Sequence, residues 1–311
     1  MRNSIKAPTL KEERIIKLLI LLAIFSIVNF LFFFLQPEHQ GNSYLFFLLF
    51  ITISYSIFKK LYMWYNYANI SVPEKPSSVP EVTVDILTTY FPGEPYQMIV
   101  TTLEAINNIT YPHTAYLCDE ANDPYLKDFC EKNGIIHVIR NNRKDAKAGN
   151  INNALRTVAT GDICVVLDPD HIPEPDFLDV ILPYFSNPEI GFVQTIQSYY
   201  NIKDTLVARG AAEQTFQFYG PMMMTLNSYE TVNAIGANCV FRRKALDSIG
   251  GHAPGLCEDM HTAMLLYAAG WKAVYVPEVL ARGLAPSNLT TYYKQQLKWA
   301  RGTFDLLFKV Y

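Results

Sequence analysis

The sequence predicts an α/β fold with a mixed, mostly parallel sheet, preceded by a pair of membrane-spanning helices. Three observations predict it. Two long apolar runs fill most of the first sixty residues. After residue 80, short apolar runs of strand length alternate with helix-length segments, the order that builds a parallel sheet with helices on both faces. One run, DICVVLD at 162–168, is almost wholly apolar, as fits a central strand covered on both sides.

The chain has 311 residues, half of them hydrophobic, enough for one large domain or two. The net charge is −3. A nucleic-acid partner is not expected, because such proteins carry a basic stripe.

Residues 15–35 form an apolar run with one lysine, long enough to cross a hydrocarbon core of about 30 Å. It is too long for the apolar core of a cleaved signal peptide. A polar loop, QPEHQGNS, leads to a second run that spans about 44–62. The aromatic cluster LYMWYNY follows Lys59 and Lys60 and suits a membrane interface. Arg2, Lys6, Lys11, Arg14 and Lys17 lie at or before the first span, and the loop between spans has no lysine or arginine. By the positive-inside rule both ends of this hairpin face the cytoplasm. The expected location is the inner (plasma) membrane, with the lipid bilayer as a partner and the rest of the chain cytosolic. The five cysteines form no CxxC pair and read as free thiols of a reducing compartment.

Residues 1–70 are thus a hairpin and 71–80, SVPEKPSSVP, a linker. In 81–287, EVTVDILTT, TAYLCDE, IIHVIR and DICVVLD read as strands. PYQMIVTTLEAINNI, DPYLKDFCEKNG and AKAGNINNALRTVATG read as the helices between them, two of them with glycine exits. The second half is less regular. It holds a strand in IGFVQTIQSYYN and a long helical stretch broken at Gly220-Pro221. A strand and helix follow in CVFRRKALDSIGG, then a helix headed by acids in CEDMHTAMLLYAAGW and a strand in WKAVYVPEV. Residues 288–311 read as an amphipathic helix lying on a membrane surface.

In sheets of this kind ligands bind at the carboxyl ends of strands. Asp168 and Asp170 sit at the end of the most buried-looking strand, and Asp119 and Glu120 at the end of another. An Asp-Pro-Asp triplet alone is most often a turn. Its place here favours a site.

The motifs LCDE, KAGN, DPDH, FVQT, CED followed by HTA, and QQLKW occur in that order. Together they resemble the membrane-embedded family 2 glycosyltransferases, specifically the catalytic subunit of bacterial cellulose synthase with its processive relatives. The resemblance covers roughly residues 80–305 and implies a GT-A, Rossmann-like catalytic domain. It implies an inverting transfer of a sugar from a UDP-sugar donor, by family weight UDP-glucose, to the growing end of a β-linked glycan acceptor. Asp168 and Asp170 would hold Mg²⁺ or Mn²⁺, hard cations suited to oxygen ligands, and His171 would contact the diphosphate. Asp119, Thr89, Tyr90, Lys147 and Lys298 would contact the nucleotide or diphosphate. Asp259 would be the general base. Glu258, beside it, also suits the dipole at the start of its helix. Trp299 and Gln295 would meet the acceptor, with Glu258, Gln194 and Thr195 along the acceptor wall.

The sequence departs from the family at Cys257, where threonine is usual, and at Lys298, where arginine is usual. Lysine keeps the charge and loses the bidentate fork. Arg301 offers compensation. The loop TYFPGEP is longer than its family counterpart. Processive relatives continue with further membrane helices, so the sequence is either a fragment or a reduced enzyme. A periplasmic or export subunit is a possible partner. The motifs are shared by synthases of curdlan, hyaluronan and poly-N-acetylglucosamine and by single-transfer enzymes acting on lipid. An aspartyl phosphotransferase built on DPDH is a remote alternative, since those enzymes place the motif on their first strand.

Overall fold

A computed structural model of the chain describes residues 4–310. Arg2 and Tyr311 lie outside the described residues.

Two helices, α1 (Leu10–Phe34) and α2 (Ser43–Ala68), form an antiparallel hairpin. Both are long and apolar enough to cross a membrane, with mean hydropathy 2.6 and 1.5. The first begins earlier, and the second ends later, than the apolar runs suggest. Caps and not hydropathy set where each starts. Thr9 and Glu12 form a capping box at α1, and Asn42 caps α2 through the amides of Tyr44 and Leu45. Phe34 stacks on Phe46 at 4.9 Å near the turn.

The domain that follows has a seven-stranded sheet. The strands are β1 (Val84–Tyr90), β2 (Thr114–Asp119), β3 (Ile136–Ile139), β4 (Ile163–Val166), β6 (Ile190–Thr195), β8 (Cys239–Arg242) and β9 (Lys272–Val276). Their order is β3-β2-β1-β4-β8-β6-β9. Only β8 runs antiparallel to its neighbours. The first four strands are joined through α3 (Tyr96–Asn107), α4 (Pro124–Lys132) and α5 (Ala146–Thr157). Separate apolar layers cover the two faces: Ile86, Leu103 and Phe177 in one, Leu87, Ile151 and Tyr275 in the other. β4 is buried at all four positions, as its apolar run requires.

Three two- or three-residue strands escape sequence reading. β5 (Ile172–Pro173), β7 (Ser198–Tyr199) and β10 (Ala281–Gly283) make a second small sheet, in the order β5-β10-β7. Phe177–Ile181 (α6), continued by a 3₁₀ turn through Ser186, is likewise new. The helical stretch after residue 205 is split. α7 (Leu206–Glu213) and α8 (Met223–Ser228) flank a wide turn at Phe218–Met222, because Pro221 has no amide to donate. α9 (Arg243–Ser248), α10 (Glu258–Ala268) and the long α11 (Leu289–Val310) complete the chain.

The hairpin is tied to this domain at both ends. Ser4 bridges Glu278, and the Ile5 amide donates to Pro277 O at 2.9 Å. At the end of α2, Thr225 Oγ1 donates to Asn66 O at 2.5 Å, and just beyond it the Ser71 amide donates to Met224 O at 3.2 Å.

Candidate active site

The carboxyl ends of β1, β2, β4 and β6 share one edge of the sheet, and β8 begins there. Asp168, Pro169 and Asp170 leave β4 in a turn closed by the His171 amide donating to Asp168 O at 3.0 Å. β5 follows directly and pairs with β10. That pairing fixes the turn: Asp170 Oδ2 accepts the Leu284 amide at 2.9 Å, and Oδ1 lies 2.9 Å from His171 Nδ1. Burial alone would raise the Asp170 carboxyl, but His171 and the Leu284 amide outweigh it and hold it below the usual range. Ligand atoms of Asp168, Asp170 and His171 lie within 4.8 Å of one another. His171 is buried, and its Nε2 has no partner. Two carboxylates and an imidazole within this radius form a donor set suited to a divalent cation.

Lys147, in the first turn of α5, ion-pairs with Asp168 and donates to Gly236 O at 2.7 Å. Burial would lower its pKa, but Asp168, Glu258 and Asp259 more than reverse this, so the ammonium stays charged. Gly236 has φ +71° and lies against Asp259: a Cβ there would stand 3.0 Å from Asp259 Oδ2. Both facts require glycine. Asp259 opens α10 and accepts the Met260 amide at 2.8 Å. Burial, then the charge of Glu258, push its carboxyl up to about 6. Asp168, Asp170, His171, Lys147, Glu258 and Asp259 therefore share one edge, with Lys147 spanning the two acidic ends.

The other predicted positions are placed differently. Asp119 is almost fully buried and engaged three times: by the amides of Ala121 and Asp123 at 2.7 and 2.6 Å, and by His137 Nε2 at 2.8 Å. Burial opposes its ionisation, but these bonds, His137 first, hold the carboxyl below its usual value. Thr89 is half-buried at the end of β1. Tyr90 is buried, with its ring stacked on Tyr96 at 6.1 Å. Gln194 and Thr195 are fully buried and present no surface to an acceptor. Gln194 instead holds the loop before β8: its Nε2 donates to Ala237 O at 2.8 Å and its Oε1 accepts the Ile235 amide at 3.0 Å. On α11, Gln295 is half-buried, while Trp299 and Lys298 face outward. Among the described residues Arg301 pairs only with Asp305 on its own helix, at 3.9 Å.

Three neighbours were not legible as site residues. Glu94, in the loop after β1, is raised by burial and by the charges of Asp170 and Asp168. His252 is buried beside Lys147 and Asp259, with Nε2 unpartnered. Burial and Lys147 push it down to about 3, so it is neutral. Gly283 of β10 packs on His171, where a Cβ would stand 2.7 Å from Nε2. Of these only Glu94 lies in a stretch singled out above, TYFPGEP, where the resemblance points to Thr89 and Tyr90 instead. The acid of TYFPGEP and the "GGH" before CED carry no spacing signal, and Gly283 matters only through the small sheet.

The profile of the family described as Glycosyltransferase like family 2 matches residues 88–302, from β1 through the tryptophan motif. The chain belongs to this family. A relative named cellulose synthase catalytic subunit (UDP-forming), from Xanthomonas axonopodis pv. citri (strain 306), is 31% identical over 76% of this chain and 33% of its own length. Another, the cellulose synthase 1 catalytic subunit (UDP-forming) of Komagataeibacter xylinus, is 30% identical over 77% of this chain and 33% of its own. The chain thus spans about a third of the length of these relatives. Among solved structures, a mannosyltransferase from Pyrobaculum calidifontis in complex with GDP-Man and Mn²⁺ superposes with a TM-score of 0.63. It is 21% identical, over 81% of this chain and 72% of that one. The shared fold is the GT-A, Rossmann-like type that the resemblance implies.

Proposed function

We propose that this family 2 member is a membrane-bound, inverting glycosyltransferase that moves a sugar from a UDP-sugar to the end of a β-linked glycan, in the manner of cellulose synthases. One observation carries the reading. Lys147 touches both Asp168 and Gly236, and Gly236 abuts Asp259, so a cation-binding cluster and a half-buried carboxyl with a raised pKa stand one side chain apart. Donor diphosphate and attacking hydroxyl would meet across that distance.

Asp168, Asp170 and His171 are the residues that would hold Mg²⁺ or Mn²⁺, which when bound neutralises charge on the leaving diphosphate. Lys147 adds a fixed positive charge beside them. Asp259 takes the proton from the acceptor hydroxyl as that oxygen attacks the anomeric carbon, and a single displacement inverts the centre. Its pKa of about 6 leaves it ionised near neutrality and basic enough to act. Asp119, Thr89 and Tyr90 border the same edge and would shape the nucleotide pocket. Trp299 offers an aromatic face to a sugar. The relatives' names support the cellulose-like product and UDP-glucose. The hydropathy of α1 and α2 supports a place in the bilayer.

The test is UDP release by the 311-residue chain in detergent or nanodiscs, with UDP-glucose and UDP-N-acetylglucosamine in turn, in Mg²⁺, Mn²⁺ or EDTA. GDP-mannose is a third arm. EDTA-sensitive turnover with one UDP-sugar, lost in Asp259→Asn, is expected. Turnover that survives Asp259→Asn would sink the base assignment, and no turnover with any donor would sink the reading.

A further inference from the structure

We propose that the contact of Gly302 with Cys257 is the positioning element that sets Trp299 against Asp259 for transfer. The proposal rests on the functional reading above. Gly302 is buried in α11 while its neighbours Arg301 and Thr303 are exposed. A Cβ at Gly302 would stand 2.5 Å from Cys257 Sγ, 3.1 Å from Leu256 Cβ and 3.2 Å from the Cys257 nitrogen. Ordinary contacts between heavy atoms lie at about 3.5–4.0 Å, so only bare backbone fits.

The thiol lies along a single turn of α11. Cys257 Sγ is 3.9 Å from Trp299 O and 4.0 Å from Thr303 Oγ1. Cys257 is also the residue before α10, two positions ahead of Asp259. The backbone that carries the tryptophan and the backbone that carries the base are therefore separated by one side chain. Elsewhere α11 is anchored as well, with Leu306 buried. Its start is fixed by Tyr292 Oη donating to Gln214 Oε1 at 2.5 Å. Past Gly302, Thr303, Phe304 and Leu307 border an apolar crevice with Met260 and Met264. Gly302 is the tight point between these ends. It meets Cys257, the position where the sequence departs from the family's threonine.

Gly302→Ala presses α11 against the start of α10 and displaces Asp259 as well as Trp299, so it costs more than loss of the Trp299 ring alone; a misplacement of about 1 Å costs on the order of 100-fold in rate. Glycan transfer is expected to fall by about that factor. The donor KM and the protection that UDP gives against thermal unfolding should stay within about twofold. Adding Cys257→Ala to Gly302→Ala should recover about tenfold or more, because the remaining contacts at 3.1 and 3.2 Å relax by tenths of an ångström. A merely structural defect would weaken donor binding as well, and removing a second side chain would not rescue it. Gly302→Ala at the wild-type rate, or a double variant no faster than the single one, overturns the proposal.

If Gly302→Ala does not fold, N-ethylmaleimide reads the same contact. Cys257 is the one free cysteine of the five that is not buried. Alkylation should abolish transfer by the wild type, while Cys257→Ala keeps its own untreated rate; full modification without loss overturns the proposal. Wild-type turnover separates the two readings. A chain that transfers nothing overturns the function and this contact together. An active, Asp259-dependent chain with silent Gly302 and Cys257 variants overturns this contact alone.

Discussion

At the ends of β4 and α5 each charged side chain is held by at least one specific partner before any ligand arrives. Asp170 is fixed by His171 and the Leu284 amide, and Lys147 by Asp168 and Gly236. On α11 Lys298 and Trp299 face outward, Trp299 being 37% exposed, and among the described residues Arg301 pairs only with Asp305 of its own helix. The two regions differ in kind. The cation edge is pre-organised by the fold, the arrangement that strengthens electrostatic stabilisation of developing charge. The tryptophan helix is held by the Tyr292–Gln214 bond, the Gly302 approach and buried Leu306, with its outer face left open. Rate should therefore depend steeply on the first region and on the α10–α11 approach, and acceptor choice on the outer face of α11.

The largest expected effect falls on the first region. Asp259→Asn should lower turnover by about 10²–10⁴-fold, the usual worth of a general base, with UDP protection against unfolding retained. Loss of UDP protection as well would mean that the residue organises the donor edge.

Gly283→Ala comes next. It touches no substrate in this reading, yet a Cβ there collides with the His171 ring. The metal concentration for half-maximal turnover should rise roughly 10–100-fold, as for other outer-shell changes. An unchanged metal requirement would remove His171 from the cation site.

The pH dependence is third. Asp259 is raised to about 6, and as the proposed base it acts only when ionised. Turnover should be flat above this value and fall about tenfold per unit below it. Stability should move the other way: a carboxyl raised by folding favours the protonated form, so ionisation costs stability as pH rises from about 4 to about 6. Asp259→Asn removes both trends. A limb centred near 4 would point to a carboxyl outside this cluster.

The smallest effect belongs to the second region. Trp299→Ala should slow glycan transfer by about 5–10-fold, roughly the worth of one aromatic contact. Hydrolysis of the donor by water should stay unchanged. Equal loss of both would bring α11 into the donor site and erase the contrast.

Most of the fold was legible because its strands are buried on both faces and its helices have strong periods. Val84–Tyr90, Thr114–Asp119 and Ile163–Val166 lie where apolar runs put them. β5, β7 and β10 were not legible, because two or three residues carry no period. Asp168 and Asp170 were readable from their place at a strand end, and Glu258 and Asp259 only through the motif that heads a helix. Their partners were not. Gly236 and Gly283 matter for the space they leave, and His252 for its burial, properties that arise only when distant segments meet. Gln194 shows the converse. Its motif position suggested an acceptor contact, and the fold uses both ends of its amide to shape the loop under Asp259 and Lys147.

The attachment of the hairpin carries one more consequence. The segment ahead of α1 joins the domain at Pro277 and Glu278, and the segment after α2 joins it at Met224 and Thr225. Ile5 also reaches the Gly220 kink. The hairpin and domain thus form a closed ring and not a body on a single tether. A twist applied at either span is delivered to the kinked segment that carries Tyr219, whose hydroxyl donates to Gln197 at 2.7 Å, close behind the small sheet. Such a ring would limit swivelling of the candidate site about the two helices more than a single tether would.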